Sequence, residues 1–156
     1  AGYGFDTIPT DQLYRILEEV PDSEIILQTS WKRLYPNLDA MKQQFSIRGF
    51  KYVDRITAMT FNLSVHVDNP DKPRRMSDLY DSDAPRGVEV ETWLTLKAPP
   101  QYTFVILDDS QNYLYNQRNN FFHIDRKKGL TPRIADKAID ILRGPSFEYY
   151  SKPLDY

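Results

Sequence analysis

Two adjacent carboxylates, Asp108 and Asp109, follow the apolar run Phe104-Val105-Ile106-Leu107. Four apolar residues in a row read as a buried strand. Like charges side by side repel, so a cation or a proton has to offset them. At the carboxyl end of a buried strand, where open α/β sheets hold ligands, Mg²⁺ suits two hard oxygen donors. The plainer alternative is an Asp-Asp turn, because short carboxylates start turns and cap helices. Two further groups have matching chemistry. Thr29 and Ser30 follow the apolar run Ile25-Ile26-Leu27, and Arg86 opens an amphipathic stretch. A hydroxyl and its neighbouring backbone N–H groups can bind a phosphate oxygen, a guanidinium neutralises developing charge, and carboxylates hold Mg²⁺. Together these are the parts of a phosphoryl-transfer site. Each also has a plain reading: Thr29-Ser30-Trp31 as a helix cap beside a core tryptophan, and Arg86 as a surface residue paired with Glu89 at i,i+3.

The elements that must position these groups are legible in outline. Pro9 to Val20 reads as a helix capped by Thr10, with Leu13, Ile16, Leu17 and Val20 on one face. Pro21-Asp22-Ser23 stops it, and Glu24 to Gln28 is a short strand. A second helix is expected over about 37–45, with a turn at Gly49. The stretch 56–86 is polar, contains Pro70, Pro73 and Pro85, and carries the cluster Asp71-Lys72-Pro73-Arg74-Arg75. It reads as a long loop or insertion, with one strand at Leu63 to Val67. Arg86 to Leu96 is helical by pattern and is ended by Pro99-Pro100; strands follow at 104–109 and 121–124. Thr131 or Pro132 opens a last helix to Leu142. This succession argues for α/β layering with a mainly parallel sheet. In such a sheet Thr29-Ser30 and Asp108-Asp109 end on the same edge, and Arg86 points to it.

With 156 residues the chain is long enough for one domain with a real core. The expected organisation is a single α/β domain over 1–143, with an irregular insertion at about 56–86. An aromatic tail over 144–156 packs along the surface or meets a protein partner. The formal net charge of −2 gives no electrostatic case for a general nucleic-acid binder. Arg74-Arg75 and Arg126-Lys127-Lys128 read as solvated loops, with contact to a phosphate backbone as the alternative. The absence of cysteine excludes disulfides and thiolate chemistry and fits a cytoplasmic protein. No apolar run is long enough for a membrane helix, and no signal peptide is expected at Ala1. His66 and His123 lie far apart, which argues against a His-rich metal site, and His123 reads as structural.

Four stretches, in this order, resemble the haloacid dehalogenase (HAD)-like superfamily. They are Ile25 to Lys32, Pro85 to Leu94, Phe104 to Asp109, and His123-Ile124-Asp125 with Gly129-Leu130-Thr131. The similarity is nearest to the small HAD-like domain of Swiss Army knife RNA-repair proteins, and it spans about Asp11 to Leu142. The resemblance implies a Rossmann-like three-layer sandwich with a mainly parallel sheet. It also implies a Mg²⁺-dependent phosphohydrolase acting on a phosphomonoester, such as a nucleotide or a nucleic-acid end. By position, Thr29 or Ser30 corresponds to the phosphate-binding hydroxyl of the second motif. Arg86 corresponds to the basic residue of the third, usually lysine, and Asp108 and Asp109 to the acidic fourth. The first motif departs from the pattern. The family carries a strand ending in Asp-x-Asp upstream of the first helix, and its first aspartate forms an aspartyl-phosphate. Here Asp6 is the only carboxylate before that helix, with no partner two residues on and no apolar strand before it. Three readings stay open: an enzyme whose first strand and nucleophile lie upstream, a catalytically inactive binding or protein-interaction module, and a phosphate or nucleotide sensor that holds Mg²⁺ without turnover. A sheet without that central strand needs something else in its place, another chain being one way.

Overall fold

The computed structural model describes residues 10–29, 35, 37–60 and 85–146. Among the described residues, four helices and four short strands carry the fold. They are α1 (Thr10–Glu19), β1 (Ile25–Leu27), α2 (Leu38–Ile47), β2 (Ile56–Met59), α3 (Arg86–Lys97), β3 (Ile106–Asp108), β4 (Phe121–His123) and α4 (Pro132–Arg143). Helices with parallel strands make this an α/β chain. No described helix is long and apolar enough to cross a membrane.

Local chemistry sets the helix ends. The Asn37 side chain accepts hydrogen bonds from the backbone N–H groups of Asp39 and Ala40, which starts α2. Gly49 then turns the chain at φ +83°, a conformation that favours glycine. Thr131 caps α4 through the Ile134 N–H, with Pro132 in the first turn where its missing N–H costs nothing. The end of α1 is closed from a distance: the Arg55 guanidinium donates to the carbonyls of Leu17, Val20 and Ser23 at 3.3, 3.0 and 2.8 Å. One side chain thus ties the Leu17 carbonyl in the last turn of α1 to two carbonyls of the segment that follows it, of which Val20 also accepts from Ser23 N–H at 3.0 Å.

The strands form two parallel pairs. β1 pairs with β2 in the register Ile25↔Ile56, Ile26↔Ala58 and Leu27↔Met59, with an irregularity after the first pair. β3 pairs with β4 in the register Ile106↔Phe121, Leu107↔Phe122 and Asp108↔His123. β2 corrects the expected insertion at about 56–86. Its first four residues are a strand, because Ile56 is fully buried against Met41 and Phe50 while its backbone pairs with β1. Residues 61–84, with the expected Leu63 to Val67 strand, lie outside the described residues, as does most of the aromatic tail.

Two apolar clusters fill the interior. One gathers Ile124, Leu130, Ala135, Ala138 and Ile139, and the other Leu27, Met41, Phe50 and Ile56. α1 lies between them. Ile16 and Val20 belong to the first cluster, Leu17 belongs to the second, and Leu13 packs against both.

Candidate functional site

The site is built outward from Asp108, the last residue of β3. Pairing with β4 fixes its backbone: Ile106 N–H donates to the Asn120 carbonyl at 2.7 Å, and Ile124 N–H donates to the Asp108 carbonyl at 2.8 Å. Its carboxylate is 7 % exposed. Oδ1 accepts from the Ser110 N–H at 3.0 Å, which turns the chain out of the strand. Oδ2 accepts from Arg86 Nη1 at 2.8 Å and also from the Tyr113 hydroxyl. The Tyr113 ring stacks on Phe121, the first residue of β4, at 4.7 Å between centroids. Burial, and then the Asp108 charge, push the Tyr113 phenol far above its usual range, so it stays protonated and donates. Burial works against the charge on Arg86, but Asp108 more than offsets this and raises its pKa.

Gly87 explains how Arg86 reaches this point. A Cβ on Gly87 would stand 2.6 Å from Leu114 N, 2.6 Å from Gln117 Oε1 and 2.9 Å from Tyr113 Cα. Only a residue without a side chain lets the loop after β3 lie this close to the start of α3. The contact is then locked by hydrogen bonds. Gly87 N–H donates to the Asn112 carbonyl at 3.0 Å. The buried Gln117 side chain donates to the Gly87 carbonyl at 2.9 Å and accepts from Leu114 N–H at 2.9 Å.

Asp109 faces a second set of partners. Arg126 Nε lies 2.8 Å from its Oδ2. His123 Nε2 lies 3.0 Å from its carbonyl, and Gln111 Nε2 lies 3.3 Å from His123 Nδ1. A carbonyl only accepts, so this arrangement assigns the proton to Nε2 and leaves Nδ1 to accept from Gln111. Burial disfavours the charged form of Asp109. The Arg126 and Arg86 guanidiniums outweigh this and hold it below the usual carboxylate range. Arg126 rides on a tight turn. Asp125 Oδ1 accepts from the N–H groups of Lys127 and Lys128 at 2.7 and 3.1 Å, which depresses the Asp125 pKa. Gly129, at φ +67°, closes the turn by donating to the Asp125 carbonyl at 2.7 Å.

The first turn of α3 also reaches β1. Glu89, 3 % exposed, accepts from Gln28 Nε2 at 3.1 Å, and the Thr60 hydroxyl bonds the Gln28 side-chain oxygen. Instead of the i,i+3 pair of the plain alternative, Arg86 and Glu89 make two long-range contacts, Arg86 to Asp108 and Glu89 to Gln28. One helical turn ties the end of β3 to the end of β1. Thr29 is the next residue after Gln28 and so stands beside this tie. The structure brings Arg86, Asp108 and Asp109 together. Ser30 and Asp6 lie outside the described residues.

Several neighbours were not visible in the sequence as site residues. Tyr113 shares an oxygen with Arg86. Arg126, expected in a solvated loop, is exposed yet turned back onto Asp109. His123, expected to be structural, sits exposed against the Asp109 backbone. The usable signal was the parallel register: with Asp108 opposite His123, the residues just after each strand become neighbours.

The donor set also bears on Mg²⁺. The two carboxyls follow one another at the end of β3 and present hard oxygens. Mg²⁺ commonly takes one or two protein carboxylates and completes its octahedron with water and phosphate oxygens. Among the described residues no three His, Cys, Asp or Glu side chains converge, so the pair fits that sparse mode and not an all-protein cage.

No curated protein matches this chain, and no solved structure does. A family defined as the HAD domain in Swiss Army Knife RNA repair proteins matches residues 2–135. That span takes in β1, the Arg86 helix start, the Asp108-Asp109 strand end and the Arg126 turn, so the chain belongs to this HAD domain family.

Proposed function

We propose that the domain is a Mg²⁺-dependent phosphohydrolase of phosphomonoesters, with a nucleotide or a nucleic-acid end as substrate. The observation that carries this reading is Arg86 at 2.8 Å from Asp108, with Asp109 next to it, at the end of a parallel strand. The substrate class rests on the family description. Asp108 and Asp109 would hold the metal, which when bound supplies Lewis-acid polarisation of a phosphoryl oxygen. Arg86 is fixed at a helix start and offers a guanidinium to the charge that grows on the phosphoryl oxygens. Tyr113 and Ser110 N–H keep the Asp108 carboxylate in one orientation. The hydroxyl of Thr29 or Ser30 binds a phosphate oxygen at the end of β1. In the family's chemistry the attacking group is an aspartate upstream of α1; Asp6, the only carboxylate before that helix here, lacks the Asp-x-Asp partner.

The test is orthophosphate release by the full chain from mononucleotides and from oligonucleotides phosphorylated at either end, beside Arg86→Met and Thr29→Ala. Mg²⁺-dependent release that falls about a hundredfold or more in Arg86→Met supports the reading. Release unchanged by Arg86→Met contradicts the role given to that residue. One observation favours the second reading, a non-catalytic binding module: both carboxylates already carry protein cations, Arg86 on one and Arg126 on the other. Mg²⁺ binding without release from any substrate would favour that module or a sensor.

A further inference from the structure

The two arginines at the acid pair are held very differently. Arg86 is 29 % exposed, is anchored by a helix start and shares its acceptor oxygen with Tyr113. Arg126 is 81 % exposed, stands on a turn and meets Asp109 through Nε at 2.8 Å. The turn is hydrogen-bonded where it meets the strand, through Asp125 and Gly129, while Lys127 and Lys128 are exposed. An exposed ion pair of this kind is weak and open to exchange. The buried, doubly bonded one is not, because separating it strands a buried charge. Asp109 is thus the carboxylate whose counter-ion can leave.

We propose that Arg126 is an exchangeable counter-ion that occupies Asp109 and yields it to an incoming divalent cation, so that metal binds in competition with this guanidinium. The inference rests on the Mg²⁺ reading above and concerns a residue that reading does not use. Once displaced, the Arg126 guanidinium is a free cation on the same turn as the exposed Lys127 and Lys128.

The test uses Mg²⁺ alone as the probe. Its affinity for the full chain is measured calorimetrically at constant ionic strength, for the wild type, Arg126→Gln, Arg126→Lys and Asp109→Asn. Arg126→Gln should bind Mg²⁺ about two- to fivefold more tightly, the size of an exposed ion pair. Arg126→Lys, which keeps the charge, should return toward the wild-type value, and Asp109→Asn should lose the binding. Equal or weaker affinity in Arg126→Gln, with wild-type binding intact, overturns the competition. Absence of Mg²⁺ binding in both wild type and Arg126→Gln overturns the metal reading itself, and the exchange with it.

Discussion

Asp108 Oδ2 receives two donors of unequal kind, the Arg86 guanidinium and the Tyr113 hydroxyl. The phenol contributes through its hydrogen bond to a charged acceptor and through stacking on Phe121. Tyr113→Phe keeps the ring and removes the bond. It should lower stability by about 1–2 kcal/mol, read from the urea midpoint. An unchanged midpoint would mean that the hydroxyl only fills space. The acid side of the pH profile follows from the depressed pKa values of Asp109 and Asp125. Each binds its proton more weakly when folded than when unfolded, so the unfolded chain takes up more protons as pH falls. Their stabilisation is complete above the ordinary Asp value of about 4 and is lost as pH falls through the lower folded values. Urea midpoints measured across that range should drop in the wild type and drop less in Asp109→Asn. Parallel profiles for the two proteins would exclude Asp109 as a contributor.

The start of α3 is the element on which the site turns, since it touches both strand pairs. Gly87 permits the contact, and a methyl there meets backbone atoms of Tyr113 and Leu114, which cannot swing aside as a side chain can. Gly87→Ala should cost about 1–3 kcal/mol from overpacking and should lower phosphate release by displacing Arg86. A stable variant with wild-type release would show that this helix start does not position Arg86. The helices were legible in the sequence because their signals are local: Thr131 with Pro132 at α4, and the Leu13, Ile16, Leu17, Val20 face of α1. β2 was not, because Ile56-Thr57-Ala58-Met59 is a short run leading into a polar stretch, and only pairing with β1 makes it a strand. The core of the candidate site was legible as residue types, Arg86 with Asp108-Asp109. Tyr113, Arg126 and the Glu89–Gln28 tie were not, because those partners meet through loop geometry and strand register, which no local pattern encodes.

Across the molecule, α1 is the shared wall of both apolar clusters. Met41 is fully buried in one and Ile124 in the other. Met41→Ala and Ile124→Ala should each cost about 2–5 kcal/mol. Because Leu13, Ile16 and Leu17 join the clusters through one helix, each variant should still unfold in a single transition, observed alike by tyrosine fluorescence and far-ultraviolet circular dichroism. Separate transitions would mean that the two strand pairs fold independently. The net charge of −2 is spread over the whole chain, while at the strand ends each carboxylate of the acid pair meets one guanidinium, Arg86 on Asp108 and Arg126 on Asp109.

The most direct measurement is orthophosphate release by the full chain as Mg²⁺ is titrated, for the wild type, Asp108→Asn and Asp109→Asn, with oligonucleotides phosphorylated at either end. Release should require Mg²⁺ and collapse in both variants while each remains folded. Release that persists without Mg²⁺, or that survives both substitutions, would contradict a metal held by the acid pair.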